Sequence, residues 1–152
     1  DGYYLVSERP YLQEFLDYAF ANYNVSVWTA ASHDYANFII NNVILTKPER
    51  KLNFFLWDTH CKFSKKKFKN SKKLNLLWDT FKCEKFNPQN TFIVDDLDDV
   101  YMDQKCNSIP VLPPFDVFDR NSDDDNFLKK LIPKLQNIKI KKQECLTGIY
   151  HT

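Results

Sequence analysis

The chain has 152 residues, with 21 lysines and arginines against 20 aspartates and glutamates and a formal net charge of +1. This balance gives no electrostatic reason for bulk attraction to nucleic acid or to a membrane surface. A hydrophobic content of 43% with only two glycines is typical of a folded globular chain rather than a disordered one. We therefore expect one folded domain over residues 1–152.

The four cysteines, Cys61, Cys83, Cys106 and Cys145, form no C-x-x-C pair and no zinc-ligand spacing. Scattered thiols of this kind are typical of an intracellular protein, in the cytoplasm or the nucleus. No run approaches the roughly 18 apolar residues of a membrane span, so we expect no membrane association.

Helical and strand patterns alternate along the chain. Apolar residues at helical spacing predict a helix with Leu12, Phe15, Leu16, Ala19 and Phe20 on one face. A β-branched and aromatic run over residues 25–29 predicts a strand, and Ser32 caps a second helix over about residues 33–43. Helix, strand and helix in this order favour an α/β fold.

The second half of the chain continues with short elements. We interpret residues 52–70, where apolar and polar residues alternate irregularly, as a small β insert. A helix follows over residues 74–81, with strands at residues 91–94 and 109–112. A closing helix begins near Phe127 and is kinked at Pro133.

Residues 91–101, TFIVDDLDDVY, place four aspartates after a strand. Such a cluster needs a nearby cation to offset its charge. Asp96-Leu97-Asp98 could open a phosphotransferase site as the D-x-D signature, or Asp95 and Asp96 could close one. The order of the motifs along the chain favours Asp95 and Asp96 as the pair that closes the site. A strand ending in Thr29 and a lysine, Lys72 or Lys73, both precede them.

Four strings carry a resemblance to a known family: Arg9-Pro10, VWTAASHDYA at 27–36, VDD at 94–96 and NSIPV at 107–111. Over about residues 7–136 the chain resembles the NIF (NLI-interacting factor-like) branch of the haloacid-dehalogenase superfamily. This branch contains the RNA polymerase II C-terminal-domain phosphatases and homologues from large DNA viruses. The resemblance implies a Rossmannoid three-layer α/β fold with a central parallel sheet.

The resemblance also assigns roles by position. Thr29 would hydrogen-bond the transferring phosphoryl group, and Lys72, with Lys73 as the alternative, would neutralise its charge. Asp95 would pair with that lysine, and Asp96 would reach Mg²⁺. The expected partner is a phosphorylated serine or threonine peptide or the transcription machinery, with viral structural proteins as a further possibility.

The chain departs from the family pattern in two places. The opening D-x-D-x-T string, which carries the aspartyl nucleophile, is not found before Arg9, so we expect the chain as given to lack the first strand and motif and to be inactive. Trp57-Asp58-Thr59-His60 replaces the family's usual Arg-Glu. Mg²⁺ binding is therefore expected of an intact family member rather than of these residues alone.

Two functions stay open. One is an Mg²⁺-dependent protein phosphatase domain. The other is a catalytically inactive phosphatase-like protein that binds partners, such as a viral transcription or particle component located in the virion. We interpret Asp98, Asp99 and Asp103 as solvated loop acids. The seven lysines over residues 62–73 could attract a phosphorylated peptide, whereas no RNA-binding pattern supports a nucleic-acid partner.

Overall fold

The computed structural model describes residues 3–146, with side chains up to residue 138. The helices are α1 (Leu12–Asn22), α2 (His33–Ile39), α3 (Asp58–Phe68), α4 (Asp98–Tyr101) and α5 (Phe127–Leu146). The strands are β1 (Val27–Trp28), β2 (Phe55–Leu56), β3 (Ile93–Asp95) and β4 (Ser108–Pro110). π-helical turns cover Ile40–Ile44 and Leu76–Thr80. Helices thus mix with strands, in agreement with the predicted α/β class.

All strand pairs found in residues 3–146 are parallel, as predicted, but they form two small sheets rather than one central sheet. β1 pairs with β2, with Trp28 opposite Leu56. β3 pairs with β4, with Asp95 opposite Pro110. Because paired parallel strands end at the same edge of a sheet, the loops after β1 and β2 are neighbours. The three-layer haloacid-dehalogenase arrangement stays a prediction.

The small β insert expected over residues 52–70 is wrong: β2 is the only strand described there, and α3 occupies most of the segment. Cys61 and Ser64 are buried on one face of α3 at a spacing of three residues. Asp58 and Lys62 form an i, i+4 ion pair at 2.9 Å on its outer side. Lysine is also a good helix former, so the lysine run favours the helix that the local alternation concealed.

The chain packs as two compact units. One consists of the amino-terminal segment up to Tyr23 with the segment from Phe115 onward, and the other is Asn24–Pro114. Compact units occur within single domains as well as between domains, so the expectation of one domain stays a prediction. No helix in the described part of the chain is both long enough and apolar enough to cross a membrane.

In the first unit α1 packs against α5, and Arg9 joins the two segments of the chain that form this unit. Its Nε and Nη2 atoms donate to the two carboxylate oxygens of Asp125 at 2.9 and 2.8 Å. The guanidinium carbon also lies 4.8 Å from the ring centroid of Phe127. Asp125 Oδ1 accepts the backbone N–H of Phe127, at the start of α5. The Arg9-Pro10 string therefore has a structural role, because it fixes the start of α5 to the segment before α1.

The second unit has a core that both sheets share. Its buried members are Leu56, Leu74, Leu76 and Leu77. Half-buried Trp28 from β1 and Ile93 from β3 pack against this cluster. Since β2 contributes Leu56, three strands from two sheets meet on one apolar surface. This shared core brings the carboxyl ends of the strands to a common region of the unit.

Replacing Arg9 by alanine should lower the free energy of unfolding by about 2 kcal/mol, the typical loss for charged hydrogen bonds with partial burial. Urea denaturation of wild type and variant gives the difference. Arg120→Ala removes the same charge from an exposed position and should change stability by less than about 0.5 kcal/mol. Equal effects of the two variants would contradict the role given to Arg9.

Candidate active site

Lys72 and Asp95 form an ion pair inside the second unit. The Nζ atom of Lys72 lies 2.6 Å from Oδ2 of Asp95, and the two side chains are only 8% and 6% exposed. The other carboxylate oxygen of Asp95 accepts the backbone N–H of Leu97 at 2.9 Å. Each carboxylate oxygen of Asp95 therefore accepts one hydrogen bond. A lysine ammonium has three donors, so two N–H groups of Lys72 are left for a ligand.

Thr29 follows β1 at the end of the first sheet. Its backbone N–H donates to the carbonyl of Leu56 at 3.0 Å, which extends the pairing of β1 with β2. Its Oγ1 atom accepts the backbone N–H of Ala31 at 3.1 Å. Since a hydroxyl can accept and donate at once, this bond orients Oγ1 and leaves its proton free for an anion.

Cys61, on the first turns of α3, connects Thr29 with the ion pair. Its buried thiol donates to the carbonyl of Thr29, with Sγ and O 3.4 Å apart. Burial raises the pKa of the Cys61 thiol, while the charge of Lys72 opposes this rise and that of Asp95 reinforces it. Cys61 thus bonds to Thr29 and lies within electrostatic reach of Lys72 and Asp95. The thiol stays neutral there and adds no charge.

Asp96 is the exposed neighbour of Asp95, and no side-chain partner for it is found in the described residues. As an oxygen donor it suits Mg²⁺, which commonly takes one or two carboxylates and keeps several waters. Within the described residues no group of three histidine, cysteine, aspartate or glutamate side chains could hold a metal. The role of Asp96 as a magnesium ligand stays a prediction.

The start of α3 borders the same region. The backbone N–H of Asp58 donates to the carbonyl of Ala31 at 3.0 Å, which fastens α3 to the loop after β1. His60 Nδ1 accepts the backbone N–H of Trp57 at 3.1 Å and so caps the helix. An accepting Nδ1 carries no proton, so the His60 ring is neutral with its proton on Nε2. Burial lowers the pKa of His60, consistent with this neutral form.

The other predicted residues have different partners. Lys73 donates to the carbonyl and the carboxylate of Asp103, each at 2.9 Å, and so lies away from Asp95. Of the two candidate lysines, the one that pairs with Asp95 is Lys72. Asp99 is not simply solvated, because Lys65 donates to it at 2.9 Å and lowers its pKa. The catalytic and substrate-binding roles of Thr29, Lys72, Lys73, Asp95 and Asp96 stay predictions.

Comparison with known proteins gives the family. The sequence profile of the NLI interacting factor-like phosphatases matches residues 1–146. The chain belongs to this family. The match spans both compact units, so the family resemblance seen in short strings extends over nearly the whole chain.

Relatives of this NLI interacting factor-like chain occur in viruses and eukaryotes. It is 50% identical over 135 residues to a CTD phosphatase-like protein of Invertebrate iridescent virus 6, covering 86% of this chain and 74% of the relative. It is 43% identical over 145 residues to the protein of the same description in Invertebrate iridescent virus 3, covering 91% and 76%. It is 29% identical over 154 residues to a ubiquitin-like domain-containing CTD phosphatase of Arabidopsis thaliana, covering 95% and 42%.

Sequence reasoning missed two contributors to the site of this family member. Cys61 was interpreted as one of several scattered thiols, although its thiol bonds to Thr29 and it lies within electrostatic reach of Lys72. His60 was noted only as part of a departure from the family pattern, although it caps α3. A signal for His60 was present, because the third residue of a helix commonly accepts the N–H that precedes the helix.

Protonation of His60 should weaken the fold. Because the folded-state pKa is lowered, the stabilisation is present above the unfolded value of about 6.5 and is lost as pH falls through the folded value. The free energy of unfolding should therefore decrease between pH 7 and pH 5. Denaturant titrations across this range measure it.

His60→Gln keeps an acceptor at the third helix position but cannot titrate, so its stability should depend less on pH than that of wild type. His33→Gln changes an exposed ring and should follow wild type. A slope for His60→Gln as steep as that of wild type would contradict the assignment.

Proposed function

We propose that the protein is an Mg²⁺-dependent phosphatase that acts on phosphorylated serine or threonine residues of peptides. The observation that carries this proposal is the buried ion pair of Lys72 and Asp95, with Cys61 bonded to the Thr29 carbonyl and within electrostatic reach of both charges. Phosphoryl transfer depends mostly on positioning and charge neutralisation, which a fixed cation and a fixed hydroxyl supply. The printed descriptions of the relatives as CTD phosphatases support a phosphoprotein substrate.

Each residue of the site would have one task. Lys72 would donate its two remaining N–H groups to phosphoryl oxygens, and Asp95 would hold the ammonium in place from the opposite side. Thr29 Oγ1, oriented by the N–H of Ala31, would donate to a third oxygen. Burial strengthens these bonds, because few waters compete with the anion there.

Asp96 would hold the magnesium ion, which would neutralise charge on the phosphoryl oxygens. The nucleophile would be an aspartate of a D-x-D-x-T string, and no such string occurs in the 152 residues. That aspartate would attack phosphorus while the second aspartate of the string protonates the leaving serine or threonine oxygen, and water would then hydrolyse the aspartyl-phosphate to inorganic phosphate. The proposal therefore requires a further segment of the same protein.

The alternative function is that of a binding protein. Without a nucleophile the same residues would bind a phosphorylated partner and not hydrolyse it, as expected of an inactive viral transcription or particle component. The reading frame before residue 1 separates the two functions. A strand followed by D-x-D-x-T supports the phosphatase, and a frame without that string supports the binding protein.

Protein expressed from the complete reading frame should hydrolyse p-nitrophenyl phosphate only when Mg²⁺ is added. Asp96→Ala should reduce kcat/KM at least about 100-fold, because a carboxylate that holds the ion is removed. The matched control is Asp98→Ala, which removes an exposed carboxylate two residues away and should retain activity. Hydrolysis without metal, or equal losses in the two variants, would contradict the role of Asp96.

A further inference from the structure

The segment that carries Lys72 lies outside the helices and strands, so its backbone groups have no regular hydrogen-bond pattern. It lies in a turn between α3 and the π-helical turn at Leu76–Thr80. Buried backbone groups outside regular structure need other partners. Three side chains supply them: Ser64 from α3, Asn70 from the turn, and Gln104 from the segment after α4. We call this set the lysine clamp.

Asn70 makes the central contacts of the clamp. It is fully buried, and its Oδ1 accepts the backbone N–H of Lys72 at 2.8 Å. Its Nδ2 donates to the carbonyl of Val100 at 3.2 Å and to a carboxylate oxygen of Asp103. Asn70 thus joins the backbone of Lys72 to the segment that begins with Asp95 and continues through α4.

Ser64 and Gln104 hold the two sides of the same turn. Ser64 Oγ donates to the carbonyl of Asn70 at 2.7 Å and accepts the N–H of Lys73 at 3.0 Å. Gln104 Nε2 donates to the carbonyl of Lys72 at 2.9 Å, and its Oε1 accepts the N–H of Leu74 at 3.1 Å. Both backbone polar groups of Lys72 are therefore bonded to clamp side chains.

We propose that Ser64, Asn70 and Gln104 are positioning residues, which fix the backbone of Lys72 so that its ammonium lies against Asp95 with two donors directed to a bound phosphoryl group. The identity of the ligand in this inference rests on the proposed function, whereas the ion pair itself is present in the structure. A flexible lysine side chain loses much rotamer freedom when it is held in one place. The clamp fixes the backbone of Lys72 before a ligand binds. Less conformational entropy is then lost on binding, which favours tight binding of an oxyanion.

The clamp also affects the position of Lys72 relative to Asp95. Asn70 and Gln104 tie Lys72 to residues 100–104, and Asp95 lies at the other end of the same short segment. Lysine and carboxylate are therefore positioned by one connected set of bonds. A change at Asn70 should move Lys72 relative to Asp95, although neither charged side chain is altered.

The test follows the Lys72 ammonium itself. In wild type, NMR of ¹⁵N-lysine-labelled protein should show a Lys72 NH₃⁺ signal, because burial and the ion pair slow its exchange with water. Asn70→Ala should lose or shift that signal, and its affinity for inorganic phosphate, titrated in the same samples, should fall about 10-fold, as for other supporting residues of a charged site.

The matched control is Leu131→Ala. Leu131 lies on α5 in the first unit and is buried almost as deeply as Asn70, and its truncation should cost about 2 to 5 kcal/mol of stability. It forms no bond to Lys72, so the ammonium signal and the phosphate affinity of the folded protein should stay unchanged. A purely structural role of Asn70 would make the two variants behave alike.

Two further variants separate positioning from misfolding. Asn70→Asp with Asp103→Asn exchanges donor and acceptor between these residues, keeps an acceptor for the Lys72 N–H, and should restore the signal in part. Gln104→Met keeps the side-chain length without the amide and should weaken the signal even if Asn70→Ala does not fold. A wild-type Lys72 signal in both Asn70→Ala and Gln104→Met would overturn the clamp. Wild type that binds no phosphate would instead overturn the proposed function, while the ammonium signals still decide the clamp.

Discussion

Lys72 and Asp95 bring opposite charges together in the interior, where either charge alone would be costly. Removing one partner of such a pair typically costs several kcal/mol, yet an apolar pair of the same size is often as stable. A buried ion pair is therefore a poor way to gain stability. We propose that the pair is kept because a fixed ammonium with two remaining donors can bind an anion.

Packing in the rest of the second unit holds this pair and Thr29 in place. The apolar cluster around Leu76 joins β1, β2 and β3, so the loops at their carboxyl ends share one region. Cys61 then ties α3 to Thr29 by its thiol. The first unit has its own anchor, the bidentate contact of Arg9 with Asp125. Packing thus places the elements, and a small number of polar bonds sets the positions of the charged atoms.

Much of this could be predicted from the sequence. The strand before Thr29, the helix capped by Ser32 and the strand that runs into Asp95 follow from local patterns, and the structure contains them. The parallel pairing was expected only from the family resemblance. The choice between Lys72 and Lys73 could not be predicted, because both lie in one lysine run. It is decided by tertiary contacts, since Asp95 and Asp103 are separated along the chain from the lysines that they bind.

The prediction of a β insert over residues 52–70 was wrong for a related reason. Local alternation around Cys61 suggested a strand, whereas the burial of Cys61 and Ser64 on one helical face decided the outcome. The clamp residues were missed because serine, asparagine and glutamine are ordinary turn and surface residues in sequence. The bond of Gln104 to Lys72 and the bond of Asn70 to Val100 join segments about 30 residues apart, which no local pattern reveals.

The most direct measurement is a crystal structure of the protein soaked with tungstate, whose anomalous signal marks an oxyanion without a nucleophile or a metal. Tungstate oxygens about 3 Å from both Thr29 Oγ1 and Lys72 Nζ, with the contact of Lys72 to Asp95 intact, are the expected result. Tungstate bound only to the exposed lysines of α3, with none at Thr29 and Lys72, would contradict the assignment of this pair to a phosphate site.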